Sequence, residues 1–126
     1  MYAPKEAAFL TGSTIMRKLY FKYERTVIMN VNKIENGEQL TVEIEGRVDT
    51  TTAPALEAEI KGSLEGKTDV VLDFKNVEYI SSAGLRVLLS TQKIMNRQGS
   101  MKVINVNEDI MEIFEVTGFS DILTIE

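Results

Sequence analysis

The stretch that most constrains the fold is Val77-Glu78-Tyr79-Ile80-Ser81-Ser82-Ala83-Gly84-Leu85-Arg86-Val87-Leu88-Leu89. It follows residues 69–74, a short run in which four of the six residues are apolar and two of these are β-branched valines. Such a run is typical of a strand covered on both faces. Beyond the serines, apolar residues recur at helical spacing up to Gly99, a common helix stop; they are Leu85, Leu88, Leu89, Ile94 and Met95. The sequence therefore predicts a buried strand, a short loop and an amphipathic helix.

Ser81 and Ser82 lie where the predicted strand gives way to the helix. Either serine can cap the helix by accepting a hydrogen bond from a backbone N–H group of its first turn. However, two serines stand where one cap suffices, and the small Ala83 and Gly84 beside them leave the backbone accessible. Two interpretations follow, a structural cap and a site of chemical modification.

Basic residues share a helix face with Ser82. On a helix that advances ~100° per residue, Ser82, Arg86, Lys93 and Arg97 fall within about 60° of one another. Because helical side chains lean toward the N-terminus, we expect Arg86 to point toward the turn that carries Ser82. A phosphate on Ser82 would meet free amides, the positive end of the helix dipole and a guanidinium. The pattern therefore indicates a site suited to an anion.

The stretch resembles the signature of the STAS domain family, an apolar residue followed by Asp, a phosphorylated Ser or Thr, a small residue, Gly and Leu. Ser81 stands at the Asp position, Ser82 at the phosphorylated position, and Gly84-Leu85 at the Gly-Leu. The chain departs from the signature at Ser81, which removes a carboxylate beside Ser82. Two further segments resemble family motifs in the same order, Gly46-Arg47-Val48-Asp49-Thr50-Thr51-Thr52-Ala53 and Val116-Thr117-Gly118-Phe119.

The resemblance implies an α/β fold for residues 29–126, with a mixed, mostly parallel β-sheet, an N-terminal antiparallel hairpin and helices packed on the sheet. The family includes bacterial anti-sigma factor antagonists, so it also implies a binding protein that acts on sigma-factor-dependent transcription. Its partners would be an anti-sigma factor serine kinase, which phosphorylates Ser82, and a PP2C-type phosphatase. The implied partner-binding residues are Asp49, Thr50, Ser81, Ser82, Ala83, Gly84, Arg86 and Lys93.

Two alternatives stay open at this point. Asp49 either contacts a partner or merely braces its own loop. The family also supplies scaffold subunits of transporters, such as lipid-transport ABC assemblies, and in that role Ser82 would be only a cap. The neighbouring genes or a pull-down would separate these functions, since the switch needs a kinase-type ATPase and the scaffold an ABC ATPase.

Composition excludes several kinds of chemistry. The 126 residues suit a single domain, and they include neither cysteine nor histidine. Disulfides, thiolate or imidazole metal sites and histidine-based catalysis are therefore excluded. No Walker-type loop or nucleophile–base pair can be assembled, so we expect neither an enzyme nor a bound cofactor. The net charge of −5 argues against non-specific nucleic-acid binding.

Two features bear on location. The longest apolar stretches are far too short for a membrane span and no signal-peptide pattern occurs, so we expect a cytoplasmic protein without a membrane partner. Residues 1–28 carry five basic and two acidic side chains, a net charge of +3, whereas the remainder carries −8. We expect this extension to be poorly ordered, although a basic arm that touches an acidic partner or a membrane is the alternative.

Turn and cap residues divide the rest of the chain. Asn36-Gly37 predicts a tight turn between two antiparallel strands. A further covered strand is predicted at residues 101–106 and a last short strand at residues 122–125. Helix caps and stops are expected at Thr51 or Thr52, at Asn107 and at Gly118. Strands that alternate with helices in this way predict right-handed crossovers and a mostly parallel sheet.

Overall fold

The computed structural model of the protein describes residues 29–126. The strands are β1 (Met29–Asn36), β2 (Gln39–Val48), β3 (Asp69–Ile80) and β4 (Ser100–Ile104), and the helices are α1 (Ala53–Lys61), α2 (Ser82–Gln98) and α3 (Glu108–Thr117). The sheet order is β1-β2-β3-β4, with β1 antiparallel to β2 and the other pairs parallel. The predicted mixed sheet with an N-terminal hairpin is thus confirmed. The prediction for residues 1–28 lies outside the described residues.

The core lies between the sheet and its helices. Along β2, Leu40, Val42 and Ile44 are buried and alternate with more exposed residues, as expected for a strand with one covered face. The helices contribute Leu56 and Ile60 from α1 and Leu88 and Met95 from α2, all fully buried in the same cluster. Burial of such side chains contributes roughly 1.5–3 kcal/mol each, which fixes both helices against the sheet.

Strand β3 is longer than the sequence predicted. It continues past Phe74 to Ile80, and its pairing with β2 shifts register twice on the way. At its end, Ile80 pairs with Val48, and the Ser81 N–H donates to the Val48 carbonyl oxygen at 2.8 Å. The predicted loop before α2 therefore shrinks to one residue. As a result, the carboxyl ends of β2 and β3 lie directly side by side.

The hairpin turn lies one residue later than predicted. Asn36 still pairs with Gln39, so the two turn residues are Gly37 and Glu38. Gly37 has φ = 64°, whereas Glu38 keeps a negative φ. Glycine with positive φ at the first central position is typical of a type II′ turn, which matches the twist of the flanking strands.

The C-terminal elements agree with the sequence except at two strands. Strand β4 ends at Ile104, two residues before the predicted end, and Asn105 after it has φ = 60°; the last strand also differs. The Asn107 side chain accepts from the Ile110 N–H at 2.9 Å and caps α3, and Gly118 ends that helix with φ = 82°, as predicted. The predicted strand at residues 122–125 is reduced to a single bridge between Val103 and Ile125, because the preceding residues form a 3₁₀ turn. None of the helices in residues 29–126 is long and apolar enough to span a bilayer.

Candidate functional site

The loop from β2 to α1 is held by the carboxylate of Asp49. Its Oδ1 accepts from the Thr51 N–H at 3.0 Å, the Thr51 hydroxyl at 2.7 Å and the Thr52 N–H at 3.1 Å. These bonds favour the ionised form, and the Thr51 hydroxyl contributes most to holding the pKa of Asp49 below its ordinary value. Asp49 therefore braces its own loop, while its contact with a partner stays a prediction.

Thr52 occupies the N-cap position of α1, within the pair that the sequence predicted. Its hydroxyl does not bond to an amide of the helix, however. It donates to the Arg47 carbonyl oxygen at 2.7 Å and accepts from the Asp49 N–H at 2.9 Å. The threonine thus closes the loop rather than capping the helix, which adds to the bracing by Asp49.

Arg47 connects the ends of the two strands. Its guanidinium carbon lies 4.5 Å from the centre of the Tyr79 ring, a cation–π geometry. Its Nε lies 3.8 Å from Oδ2 of Asp49, and the Tyr79 side chain is partly exposed beside it. No sequence pattern indicates this stack, because the two residues meet only through the register of β2 and β3.

The junction from β3 to α2 assigns different roles to the two serines. Ser81 is the N-cap, with extended backbone (φ = −98°, ψ = 178°) and a long bond of 3.5 Å from the Gly84 N–H to its hydroxyl oxygen. Ser82 is the first helical residue and is exposed, and its hydroxyl has no hydrogen-bond partner within residues 29–126. The interpretation of Ser82 as the cap is therefore wrong. The bond from Ser81 to Val48 holds Ser81 in the extended conformation that an N-cap requires.

Gly84 allows the first turn of α2 to sit close to both strand ends. A Cβ atom at this position would lie 2.6 Å from Cγ1 of Ile80 and 2.7 Å from Cγ1 of Val48. Real Cβ atoms do not approach so closely, so either the helix start or the side chains of Ile80 and Val48 would have to shift. The glycine that the family signature contains thus has a packing reason here.

A groove of about 600 Å³ lies between α1 and α2. Its lining comprises Thr50, Ala53, Pro54, Glu57, Ala83, Arg86, Val87, Leu89, Ser90 and Lys93. Four of the predicted partner-binding residues line this groove, namely Thr50, Ala83, Arg86 and Lys93. The other four lie outside it, at the two strand-to-helix junctions, namely Asp49, Ser81, Ser82 and Gly84. The candidate site therefore has two parts. One is the edge formed by the two strand-to-helix junctions, and the other is the groove beside it.

The residues that α1 contributes to the groove were not predicted from the sequence. Pro54 and Glu57 are spaced as neighbours on one helix face, but the sequence does not reveal which helix they oppose. Leu89 and Ser90 were missed on α2 for the same reason. Within the part of the chain that the structure describes, no group of three or more acidic side chains is placed to hold a metal ion.

Comparison with known proteins identifies the family. Residues 29–126 match the family model described as the STAS domain. The chain belongs to the STAS domain family. The anti-sigma-B factor antagonist of Bacillus subtilis (strain 168) is 34% identical over 98 residues, which cover 77% of this chain and 90% of the relative. The family predicted from the three motifs is therefore confirmed.

Solved structures share the STAS fold. An anti-sigma factor antagonist from Mycobacterium paratuberculosis superposes with a TM-score of 0.72 at 22% identity, over 78% of this chain and 85% of that one. The Bacillus cell fate determinant SpoIIAA in its phosphorylated form superposes with a TM-score of 0.61 at 14% identity, over 79% of this chain and 91% of that one. At these identities the likeness concerns the fold, and it confirms the predicted STAS architecture.

Proposed function

We propose that this STAS domain is an anti-sigma factor antagonist that is switched off by phosphorylation of Ser82. In its unmodified form it binds an anti-sigma factor that is also a serine kinase, so that a sigma factor is released for transcription. The kinase then transfers a phosphoryl group from its own ATP to the Ser82 hydroxyl, and a PP2C-type phosphatase hydrolyses the ester. The exposed hydroxyl of Ser82, beside a separate cap at Ser81, is the observation that carries the proposal.

The position of Ser82 suits a phosphoryl group. The first N–H groups of a helix lack partners within the helix, and the N-terminus carries the positive end of the helix dipole. Helix α2 has 17 residues, and Arg86 follows Ser82 by four positions, about one turn. A guanidinium at that spacing can pair with a phosphate on the preceding turn.

Phosphorylation would alter the contact edge without disturbing the core. A phosphoserine adds a charge of about −1.5 to −2 at neutral pH. Ser82 is exposed, whereas the core side chains of α2, such as Leu88 and Met95, are fully buried on another face. The added charge therefore acts on a partner through desolvation and repulsion. A loss of about 3 kcal/mol in binding would weaken the complex more than a hundredfold, which is enough to exchange partners.

Two relatives support the proposal. The Bacillus subtilis protein that shares 34% of its aligned residues is named an anti-sigma-B factor antagonist. SpoIIAA, which has the same fold, is known in unphosphorylated and phosphorylated forms. Both facts concern those proteins, and they motivate the experiment on this one.

The test is phosphoryl transfer in a defined mixture. The full chain is incubated with ATP, Mg²⁺ and a kinase-type anti-sigma factor from the same genome, followed by intact-mass measurement and site mapping. We expect one phosphoryl group on Ser82, its loss in Ser82→Ala and its retention in Ser81→Ala. Modification of Ser81 instead would contradict the assignment. Absence of both transfer and binding, with retention of an ABC ATPase in a pull-down, would favour the transporter scaffold.

A further inference from the structure

We propose that the groove between α1 and α2 docks an acidic, amphipathic peptide segment, with Arg86 and Lys93 as the contacts for its carboxylates. The inference deepens the proposed function and rests on it for one point, that the segment belongs to the anti-sigma factor. The charges of the groove, its apolar floor and its position beside Ser82 support this occupant.

The charges that line the groove are predominantly positive. Arg86 and Lys93 are both exposed, and neither forms an ion pair with another residue in 29–126. The single acidic residue of the lining is Glu57, whose Oε2 lies 2.7 Å from Nζ of Lys61 on the same helix. Because this pair offsets much of the negative charge, the two cations on α2 dominate the groove.

The rest of the domain has the opposite charge. Residues 29–126 carry a net charge of −8, so the domain as a whole repels an acidic ligand. A positive groove on such a surface directs an acidic segment to one place, since complementary charge raises association rates and repulsion elsewhere suppresses wrong orientations. Charge complementarity thus selects an acidic segment as the occupant.

The floor of the groove is apolar. Ala53 and Val87 are buried beneath it, at 3% and 4% exposure, and Leu89 and Ala83 are half-buried at its sides. Such a floor accepts aliphatic side chains, which a free inorganic anion does not offer. With a volume of about 600 Å³, the groove can hold several side chains. A segment that combines carboxylates with aliphatic residues fits both parts.

The two cations lie at different distances from Ser82. Arg86 is one helical turn away, so a phosphate on Ser82 can pair with it and withdraw it from the groove. Lys93 is eleven residues along the helix, or about 16 Å at 1.5 Å per residue, beyond reach of that phosphate. Variants of Lys93 therefore test the groove independently of the Ser82 switch.

The test uses a synthetic peptide in place of the unidentified segment. The ¹⁵N-labelled full chain is titrated with a decapeptide of alternating Glu and Leu, and separately with its Lys-Leu counterpart. We expect saturable amide shifts at Thr50, Ala83 and Ser90 with the acidic peptide alone. Lys93→Glu should weaken binding at least about fivefold, and Arg97→Glu less than about twofold. Arg97 is a matched control, because it lies on the same helix but outside the groove lining.

Several results would overturn the inference. One is an equal loss of affinity for the acidic peptide in Lys93→Glu and Arg97→Glu. The others are equal affinity for the Lys-Leu and Glu-Leu peptides, and the absence of saturable amide shifts. Free glutamate that reproduces the shifts at the same concentration would make the groove a small-anion site instead. The titration needs no kinase, so a failure of Ser82 phosphorylation leaves its result intact. Conversely, a failed titration leaves the assignment of Ser82 standing.

Discussion

Two strand-to-helix junctions lie side by side at one edge of the sheet, and they use their polar groups in opposite ways. In the β2–α1 junction, the Asp49 carboxylate and the Thr52 hydroxyl are engaged by bonds within the loop. In the β3–α2 junction, Ser81 provides one long cap bond and Ser82 has no partner within the described chain. The first junction is a brace, and the second leaves an exposed hydroxyl at Ser82.

Under the proposed phosphorylation switch, this difference would let one edge be rigid at one junction and open to modification at the other. A partner needs a surface of fixed shape, which the braced loop gives to Thr50 at the mouth of the groove. A kinase needs an accessible hydroxyl whose modification breaks few internal contacts, which Ser82 offers. Gly84 joins the two junctions, because it packs against the last residue of each strand.

The largest expected effect comes from adding a Cβ atom at Gly84. We expect Gly84→Ala to lower the free energy of unfolding by about 1–2 kcal/mol, because the new Cβ clashes with Ile80 and Val48. Alanine otherwise favours a helix over glycine by up to about 1 kcal/mol, so intrinsic propensity acts in the opposite direction. Urea denaturation measures the change. A stabilised variant would show that the two junctions are not packed together as described.

A paired substitution tests the difference between the junctions directly. Asp49→Ala should lower the free energy of unfolding by about 1 kcal/mol, since three donors lose their acceptor. Ser81→Ala should cost about 0.5 kcal/mol, at the low end for an N-cap, because its bond is long. Both values come from the same denaturation experiment. A larger loss at Ser81 than at Asp49 would reverse the roles assigned here.

The braced carboxylate should also show in the pH dependence of stability. Hydrogen bonds, chiefly from Thr51, hold the pKa of Asp49 below its ordinary value in the folded chain. Its contribution is therefore complete above the unfolded pKa, about 3.9, and is lost as pH falls through the lower folded value. Asp49→Asn should show a smaller loss of stability than the wild type over that acid range. If the stability of the two proteins fell in parallel with pH, Asp49 would not be bracing the loop through its ionised form.

The smallest effect is expected from removing residues 1–28. The STAS family model matches residues 29–126, and both junctions lie within that range. The truncated chain should therefore keep its thermal unfolding midpoint and its affinity for the partner. A fall in the midpoint of more than about 4 °C, the shift that roughly 1 kcal/mol gives, would make the extension part of the working domain.

The elements that depend on local pattern were predicted well. The helix α2, its stop at Gly99 and the capping of α3 by Asn107 follow from residue types close together in the chain. The true length of β3 could not be predicted from local residue types, because beyond Phe74 the strand is maintained by pairing with β2 across register shifts. Local periodicity is lost at such shifts, and the partner strand lies some thirty residues away.

The candidate site likewise contains residues that local pattern predicts and residues that only tertiary contacts bring together. The motif and the cationic face of α2 indicated Ser82, Arg86 and Lys93, but they could not decide which serine is the cap. That choice depends on the bond from the Ser81 N–H to Val48, a contact between two distant strand ends. The α1 wall of the groove likewise depends on tertiary packing.

The most direct test of the central claim is the affinity of the kinase-type anti-sigma factor for four forms of the full chain. These are the unmodified protein, the Ser82-phosphorylated protein, Ser82→Asp and Ser81→Asp. Phosphorylation should weaken binding more than about a hundredfold, and Ser82→Asp should weaken it in the same direction. Ser81→Asp should fold normally, because aspartate is a good N-cap, and should weaken binding less than Ser82→Asp, because Ser81 is less exposed than Ser82. Equal affinity for the unmodified and phosphorylated proteins would contradict the account.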